Sequence, residues 1–193
     1  MLTIGILAFQ GSVEEHVNSF LKIEGVSPCK VKEVDDLKKI NGLVLPGGES
    51  TTIGKLLRDF GLLQPIIERI NEGMPVWGTC AGMILMAKNI VGEKQAHLGV
   101  MDISVRRNAY GGQLESFGAK LCIPGISGSE IPLVFIRAPW VESVGENVRV
   151  LASLNGKIIA VQQNHMLATS FHPELTEDVS FHRYFAELVK KQA

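Results

Sequence analysis

The sequence is poor in the features that mark a secreted scaffold, a metal enzyme or a membrane protein. Its three cysteines, Cys29, Cys80 and Cys122, are odd in number and far apart. That spacing argues against a disulfide framework and fits a reducing compartment. No Cys-x-x-Cys pair occurs, and the five histidines show no His-Glu-x-x-His spacing, so zinc hydrolysis and zinc deamination lose their usual ligands. No metal is expected. Lysine and arginine are scattered without a basic run, and the formal net charge is −1, so nucleic acid is not an expected partner. No apolar stretch approaches the ~18 residues that span a bilayer, which sets aside a membrane role. The opening run Leu2 to Phe9 lacks a basic leader and a small-residue cleavage site, so it reads as a buried strand and places the chain in the cytoplasm.

What is present describes one globular domain over residues 1–193, with 46% apolar residues to build its core. Strand and helix alternate through the first ninety residues, the pattern of a parallel sheet with crossover helices. The expected elements are a strand from Leu2 to Phe9 and a helix from a Ser12-Val13-Glu14-Glu15 capping box to about Ile23. A strand from Cys29 to Val34 and a short helical turn from Asp35 to Lys39 follow. Gly42 to Leu45 is the third strand; Thr51 to Phe60 and Leu62 to Asn71 are helices, the second ended by Gly73. From about His97 the pattern shifts to short strands, at Val100 to Val105, Leu114 to Leu121, Leu133 to Ile136, Val148 to Leu154, Lys157 to Val161 and Met166 to Phe171. Thr176 is the expected N-cap of a closing helix that runs to Lys190, with Glu177 and Asp178 in its first turn.

The chemistry centres on Val76-Trp77-Gly78-Thr79-Cys80-Ala81-Gly82, an apolar strand that runs into a small-residue turn and then a helix over Met83 to Ala87. A side chain between two glycines at such a bend projects outward, near a helix end whose dipole favours thiolate over thiol. A histidine would complete that activation. The best candidate is His172, in Ser170-Phe171-His172-Pro173-Glu174. In an extended segment His172 and Glu174 share a face, so the carboxylate can accept the imidazole N–H and fix its tautomer. The plainer alternative is a buried small cysteine and a hydrogen-bonded turn histidine. A third constellation, Pro46-Gly47-Gly48-Glu49-Ser50-Thr51-Thr52, can turn backbone N–H groups toward a ligand at the carboxyl edge of the sheet. It is not a P-loop: Gly54-Lys55 has Glu49 where the first glycine belongs and Leu56 where Ser or Thr belongs.

Taken in order, Pro46-Gly47-Gly48-Glu49-Ser50-Thr51, Gly78-Thr79-Cys80-Ala81-Gly82 and Phe171-His172-Pro173-Glu174 resemble the class I, triad-type glutamine amidotransferases. More narrowly, Leu7-Ala8-Phe9-Gln10-Gly11, Arg107-Asn108-Ala109-Tyr110-Gly111, Phe135-Ile136-Arg137-Ala138-Pro139 and His172-Pro173-Glu174-Leu175-Thr176 resemble the glutaminase subunits of pyridoxal 5′-phosphate synthase. The match spans nearly the whole chain.

The resemblance implies an α/β, three-layer flavodoxin-like fold with a mostly parallel central sheet and helices on both faces. It implies hydrolysis of L-glutamine to glutamate and ammonia by Cys80, His172 and Glu174, with no cofactor on this chain. The backbone N–H groups of Gly48 and Ala81 would form the oxyanion hole. Gly48, Glu49, Ser50, Arg107, Ile136 and Arg137 would bind or enclose glutamine, and Gln10 would couple to a barrel-type synthase subunit in a hetero-oligomeric complex. Departures from the family pattern are Arg106, Gly112 and Gly118 around Arg107, and Asn164 where glycine is common. Two alternatives stay open at this point: a triad hydrolase serving another acceptor or another γ-glutamyl compound, and a non-catalytic subunit that docks to a partner.

Overall fold

The chain is described here from a computed structural model, which covers residues 1–107 and 116–192. Its first half builds β1 (Leu2–Leu7), α1 (Val13–Leu21), β2 (Val26–Val31), α2 (Val34–Leu37), β3 (Gly42–Leu45), α3 (Ser50–Asp59), α4 (Leu63–Asn71), β4 (Val76–Thr79) and α5 (Ala81–Met86). Then come β5 (Ala87–Ile90), β6 (Met101–Arg106), β7 (Ser116–Leu121), β8 (Ile131–Ile136), β9 (Trp140–Val144), β10 (Arg149–Leu154), β11 (Lys157–Gln163) and β12 (Met166–Thr169). A 3₁₀ turn at Pro173–Leu175 and α6 (Ser180–Lys190) close the chain.

Five strands in the order β2-β1-β3-β4-β12 form a parallel block. The sheet continues through β11, β9, β6 and β5, with antiparallel pairings except between β6 and β5, while β10 pairs with β11. A separate antiparallel ribbon joins β7 to β8.

The central strands are apolar on both faces because helices cover both. Leu43 and Leu45 of β3 and Val76 of β4 enter the core shared with α3, α4 and α5. Their neighbours Val44 and Trp77 enter the opposite core, with Phe20 of α1 and Phe181, Phe185 and Val189 of α6. This two-sided burial places the carboxyl ends of β3, β4 and β12 side by side at one edge, where the site forms.

The expected elements are found, with several corrections. Ser12 makes no cap hydrogen bond at the start of α1, because its hydroxyl is engaged elsewhere. The closing helix begins at Ser180, not near Thr176: the Thr176 hydroxyl accepts from Asp178 N at 3.2 Å and the Asp178 carboxylate accepts from Ser180 N at 2.8 Å, so those residues form a turn before the helix. β12 ends at Thr169, β2 runs from Val26 to Val31, and α5 occupies Ala81–Met86, with Ala87 already in β5. Strands β5 and β9 have no counterpart among the elements expected from sequence. The start of the expected Leu114 strand, and Gly112 with the rest of the Asn108-to-Gly111 motif, lie outside the described residues. Asn164 adopts φ 53°, the left-handed turn conformation its glycine-like position called for.

Candidate active site

β4 runs into α5 through Cys80, whose φ of 48° and ψ of −101° are rare and strained for a residue with a side chain. Close backbone packing holds the strain in place. A Cβ added to Gly82 would stand 2.0 Å from the Leu45 carbonyl oxygen in β3, and one on Gly78 would stand 2.4 Å from the Gly82 carbonyl carbon. α5 therefore sits against β3 and β4 at a distance only glycine permits. Cys80 N donates to Thr169 O at 2.8 Å, tying the bend to β12. The Cys80 side chain is 7% exposed, with Sγ 3.8 Å from the Ile136 carbonyl oxygen.

His172 follows β12, and its backbone N–H donates to Val134 O of β8 at 2.8 Å. His172 and Glu174 meet as expected, but not on an extended segment. Leu175 N donates to His172 O and Thr176 N to Pro173 O, closing the 3₁₀ turn. From that turn the carboxylate swings back to the ring, with Nδ1 to Oε1 at 2.7 Å. Nδ1 is thereby committed to Glu174, leaving Nε2 for other chemistry.

The loop before α3 covers this histidine. A Cβ on Gly47 would stand 2.3 Å from His172 Cε1, so the loop backbone lies directly against the ring. Gly47 O accepts from Ser12 N at 3.2 Å, and the Gln10 side-chain Oε1 accepts from Glu49 N at 2.9 Å. Gln10 thus braces the loop from β1. Glu49 N-caps α3 and also accepts from Arg107 Nη2 at 3.0 Å, while Arg107 Nη1 donates to Glu93 at 2.6 Å and to Thr51 at 3.2 Å. Arg106 points elsewhere, in a bidentate pair with Glu142. Gly118 lies in β7, where an added Cβ would meet only Leu133 O at 3.9 Å. Arg137 holds φ 43° and, among the described residues, has no carboxylate within 4 Å.

These elements enclose a cleft of about 420 Å³. Every residue proposed for the site from sequence lines it except Glu174: Gln10, Gly48, Glu49, Ser50, Cys80, Ala81, Arg107, Ile136, Arg137 and His172. Glu174 lies behind His172, 5% exposed. A groove of about 460 Å³ beside α6 carries neither cysteine nor histidine and is remote from this chemistry. Among the described residues no group of three or more His, Cys, Asp or Glu is arranged to hold a metal ion, and no helix is long and apolar enough to cross a membrane.

Burial alone would raise Glu174, but the adjacent His16 and hydrogen bonds from His172 and Ser12 outweigh it and hold the carboxyl down at about 2. Burial alone would lower His172, but the neighbouring Cys80 and the hydrogen-bonded Glu174 carboxylate outweigh that and push it up to about 10. A thiol and an imidazole in one cleft, with an ionised carboxylate behind the ring, suit nucleophilic acyl transfer.

Sequence reasoning missed four residues around Glu174. Ser12 Oγ donates to Glu174 Oε1 at 2.5 Å, and His16 Nε2 lies 3.5 Å from Oε2 and 3.2 Å from Thr79 Oγ1. His182 of α6 meets His16 at 3.0 Å. The available signal was His16 itself, a histidine four residues before Phe20 on the apolar face of α1.

The SNO glutamine amidotransferase family matches residues 6–191. A curated relative in Caldanaerobacter subterraneus subsp. tengcongensis, named pyridoxal 5′-phosphate synthase subunit PdxT, is 55% identical over 187 residues, covering 97% of this chain and 99% of its own. One of the same name in Ruminiclostridium cellulolyticum is 54% identical over 189 residues, covering 98% and 100%. A crystal structure described as a glutamine amidotransferase superposes with a TM-score of 0.91 at 45% identity, covering 97% of this chain and 98% of that one. The structure of PurLQS from Thermotoga maritima, at 15% identity and a TM-score of 0.64 over 98% of each chain, shares the fold.

Proposed function

The chain belongs to the SNO glutamine amidotransferase family, and on that premise we propose that Cys80, His172 and Glu174 are its catalytic triad. The activity is glutaminase: L-glutamine is hydrolysed to glutamate and ammonia, and the ammonia supplies pyridoxal 5′-phosphate synthesis, as in relatives named for that synthase. The observation that carries the triad is geometric. A strained bend presents Cys80 to the cleft beside His172, whose far nitrogen is committed to Glu174 at 2.7 Å.

In this reading the Cys80 thiolate attacks the side-chain amide carbon of glutamine, forming a tetrahedral oxyanion. The imidazolium of His172 gives its Nε2 proton to the departing ammonia, leaving a glutamyl thioester. The same nitrogen then takes a proton from water, which attacks the thioester; collapse releases glutamate and restores the thiolate–imidazolium pair. The backbone N–H groups of Gly48 and Ala81 receive both oxyanions, each worth ~10²–10³ in rate. Glu49, Ser50 and Ile136 line the pocket, and Arg137 supports the charged amino-acid end of glutamine more directly than Arg107, whose guanidinium is already paired with Glu49 and Glu93. No step calls for a cofactor.

The domain extends over 1–193, and the partner is a barrel-type pyridoxal 5′-phosphate synthase subunit in a hetero-oligomeric complex. Gln10, braced against Glu49, would transmit docking to the oxyanion loop. Three unpaired cysteines fit a cytoplasmic setting. The test is glutamate release from glutamine, with and without a pyridoxal 5′-phosphate synthase subunit, alongside Cys80→Ala. Stimulation by the partner that disappears in Cys80→Ala is expected; full activity of Cys80→Ala would overturn the triad.

A further inference from the structure

Two imidazoles are buried completely, in contact with one another, directly behind the triad carboxylate: His16 of α1 and His182 of α6, each 0% exposed. We propose that Ser12, His16 and His182 form a neutral relay of positioning residues that grips both oxygens of Glu174 and so fixes the proton on His172 Nδ1. The proposal rests on the triad reading above.

The protons can be placed by elimination. One hydrogen lies between His16 Nδ1 and His182 Nε2, 3.0 Å apart. If His16 carried it, His182 would hold its own N–H on Nδ1, a buried donor with no partner among the described residues. His16 Nε2 would then aim a lone pair at Glu174 Oε2, 3.5 Å away. Both arrangements are costly in a dry interior. If His182 carries the hydrogen instead, His16 holds an N–H on Nε2. That N–H faces Glu174 Oε2 at 3.5 Å and Thr79 Oγ1 at 3.2 Å, and only an acceptor lone pair on His182 is left without a partner. The second arrangement satisfies more groups. At 3.5 Å the contact with Oε2 is a charge–dipole interaction, not a short hydrogen bond.

Oε2 has no hydrogen-bond partner among the described residues, so this N–H dipole is its main compensation, while Ser12 and His172 both donate to Oε1. A carboxylate held at both ends cannot rotate away from the imidazole it orients. The titratable groups facing His16 are Glu174, His172 and Glu15; those facing His182 are His16, Glu174 and Lys22. Burial dominates, lowering His16 and taking His182 well below the usual imidazole value, which keeps the relay neutral.

Two measurements test this. Nitrogen NMR of the wild-type chain, labelled at histidine, should show His16 and His182 as neutral Nε2–H tautomers that do not titrate between about pH 5 and 8. Titration of either ring near the ordinary ~6.5, or an Nδ1–H tautomer at His16, would overturn the proposal. In glutamate-release assays with the synthase subunit, Ser12→Ala and His16→Asn should each lower kcat about tenfold or more at nearly constant KM. His16→Gln, whose amide nitrogen falls near the position of Nε2, should recover part of that loss. Equal losses in His16→Asn and His16→Gln would mark His16 as mere packing, and an unaltered kcat in Ser12→Ala would remove Ser12 from the relay. Should His16→Asn fail to fold, Ser12→Ala and the wild-type spectra still decide. Failure of the triad itself is separable, because Cys80→Ala would then stay active.

Discussion

Replacing Gly82 by alanine is the sharpest probe of the Cys80 bend. The new methyl would stand 2.0 Å from Leu45 O, 2.9 Å from Leu45 C and 3.1 Å from Leu45 Cβ. Ordinary carbon contacts lie at about 3.5–4.0 Å, so α5 must withdraw by roughly 1 Å or more. The obstacle is main chain in a central strand, fully buried and paired with Gly78 of β4, so no rotamer change can relieve it. Overpacking costs ~1–3 kcal/mol where side chains can yield, which places this case at the upper end, near ~3 kcal/mol. Alanine is favoured over glycine within a helix by ~1 kcal/mol, leaving a net loss of about 2 kcal/mol. For a chain of this size each kcal/mol lowers Tm by about 2–4 °C, so a fall of roughly 4–8 °C is expected in a circular-dichroism melt. Activity should fall further, because displacing the thiol by ~1 Å costs ~10² in rate. Gly128→Ala, with nothing within 4 Å of the new methyl, is the control and should stay within ~0.5 kcal/mol of the parent. An unchanged Tm and full glutaminase activity in Gly82→Ala would refute the argument that close packing holds the bend.

Gly47→Ala would drive a methyl to 2.3 Å from His172 Cε1; glutamate release should drop by about 10²-fold, and parental kcat would show that the loop retreats freely. Glu174→Gln keeps the shape but removes the charge that fixes the His172 tautomer, so kcat should fall by about 10²–10⁴ with little change in KM. An equal loss in KM would point to the pocket instead. Glu174 is held down at about 2, below its unfolded value of ~4.3, so its contribution to stability is complete above pH ~4.3 and is lost as pH falls toward 2. His172 is raised to about 10, so its contribution is complete below ~6.5 and is lost as pH rises toward 10. Urea midpoints across pH should therefore fall on both limbs, with the acid limb shallower in Glu174→Gln; identical acid limbs would sink the assignment.

Much of the parallel block was legible in the sequence because its signals are local. Gly42 to Leu45 is an uninterrupted apolar run, as a strand buried on both faces must be, and it matches β3 residue for residue. Gly73 ends α4 at φ 106°, a conformation that a single glycine announces. β9 carried no such mark. Trp140–Val144 mixes exposed and buried positions, and its pairing with β6 shifts register between Ser104 and Val105, which blurs any period-two pattern. The expected N-cap of the closing helix, Thr176, lies three residues before the observed one, Val179, because Thr176 and the acids after it carry the composition of a helix start. Here Thr176, Asp178 and Ser180 close a turn with one another instead.

The candidate active site divides along the same line. Cys80, His172 and Glu174 sit in short motifs, whereas the partners of Glu174 do not: Ser12 is 162 residues away from it, and His16 is 166 residues away from His182. Only the fold brings α1, β4 and α6 to one point. Each partner looks locally like something else. Ser12 has the sequence of a helix cap yet leaves the helix N–H groups uncapped by its side chain, and His16 occupies an apolar position. Cys80 departs from ordinary backbone geometry in the same neighbourhood. Three departures from local preference converging on one carboxylate and one thiol are hard to attribute to packing, since an apolar side chain at 16 or 182 would fill the interior without two imidazoles to desolvate. The cost is intelligible if the protein needs Glu174 ionised, dry and unable to turn, which is what a histidine that must both give and take a proton requires of its anchor.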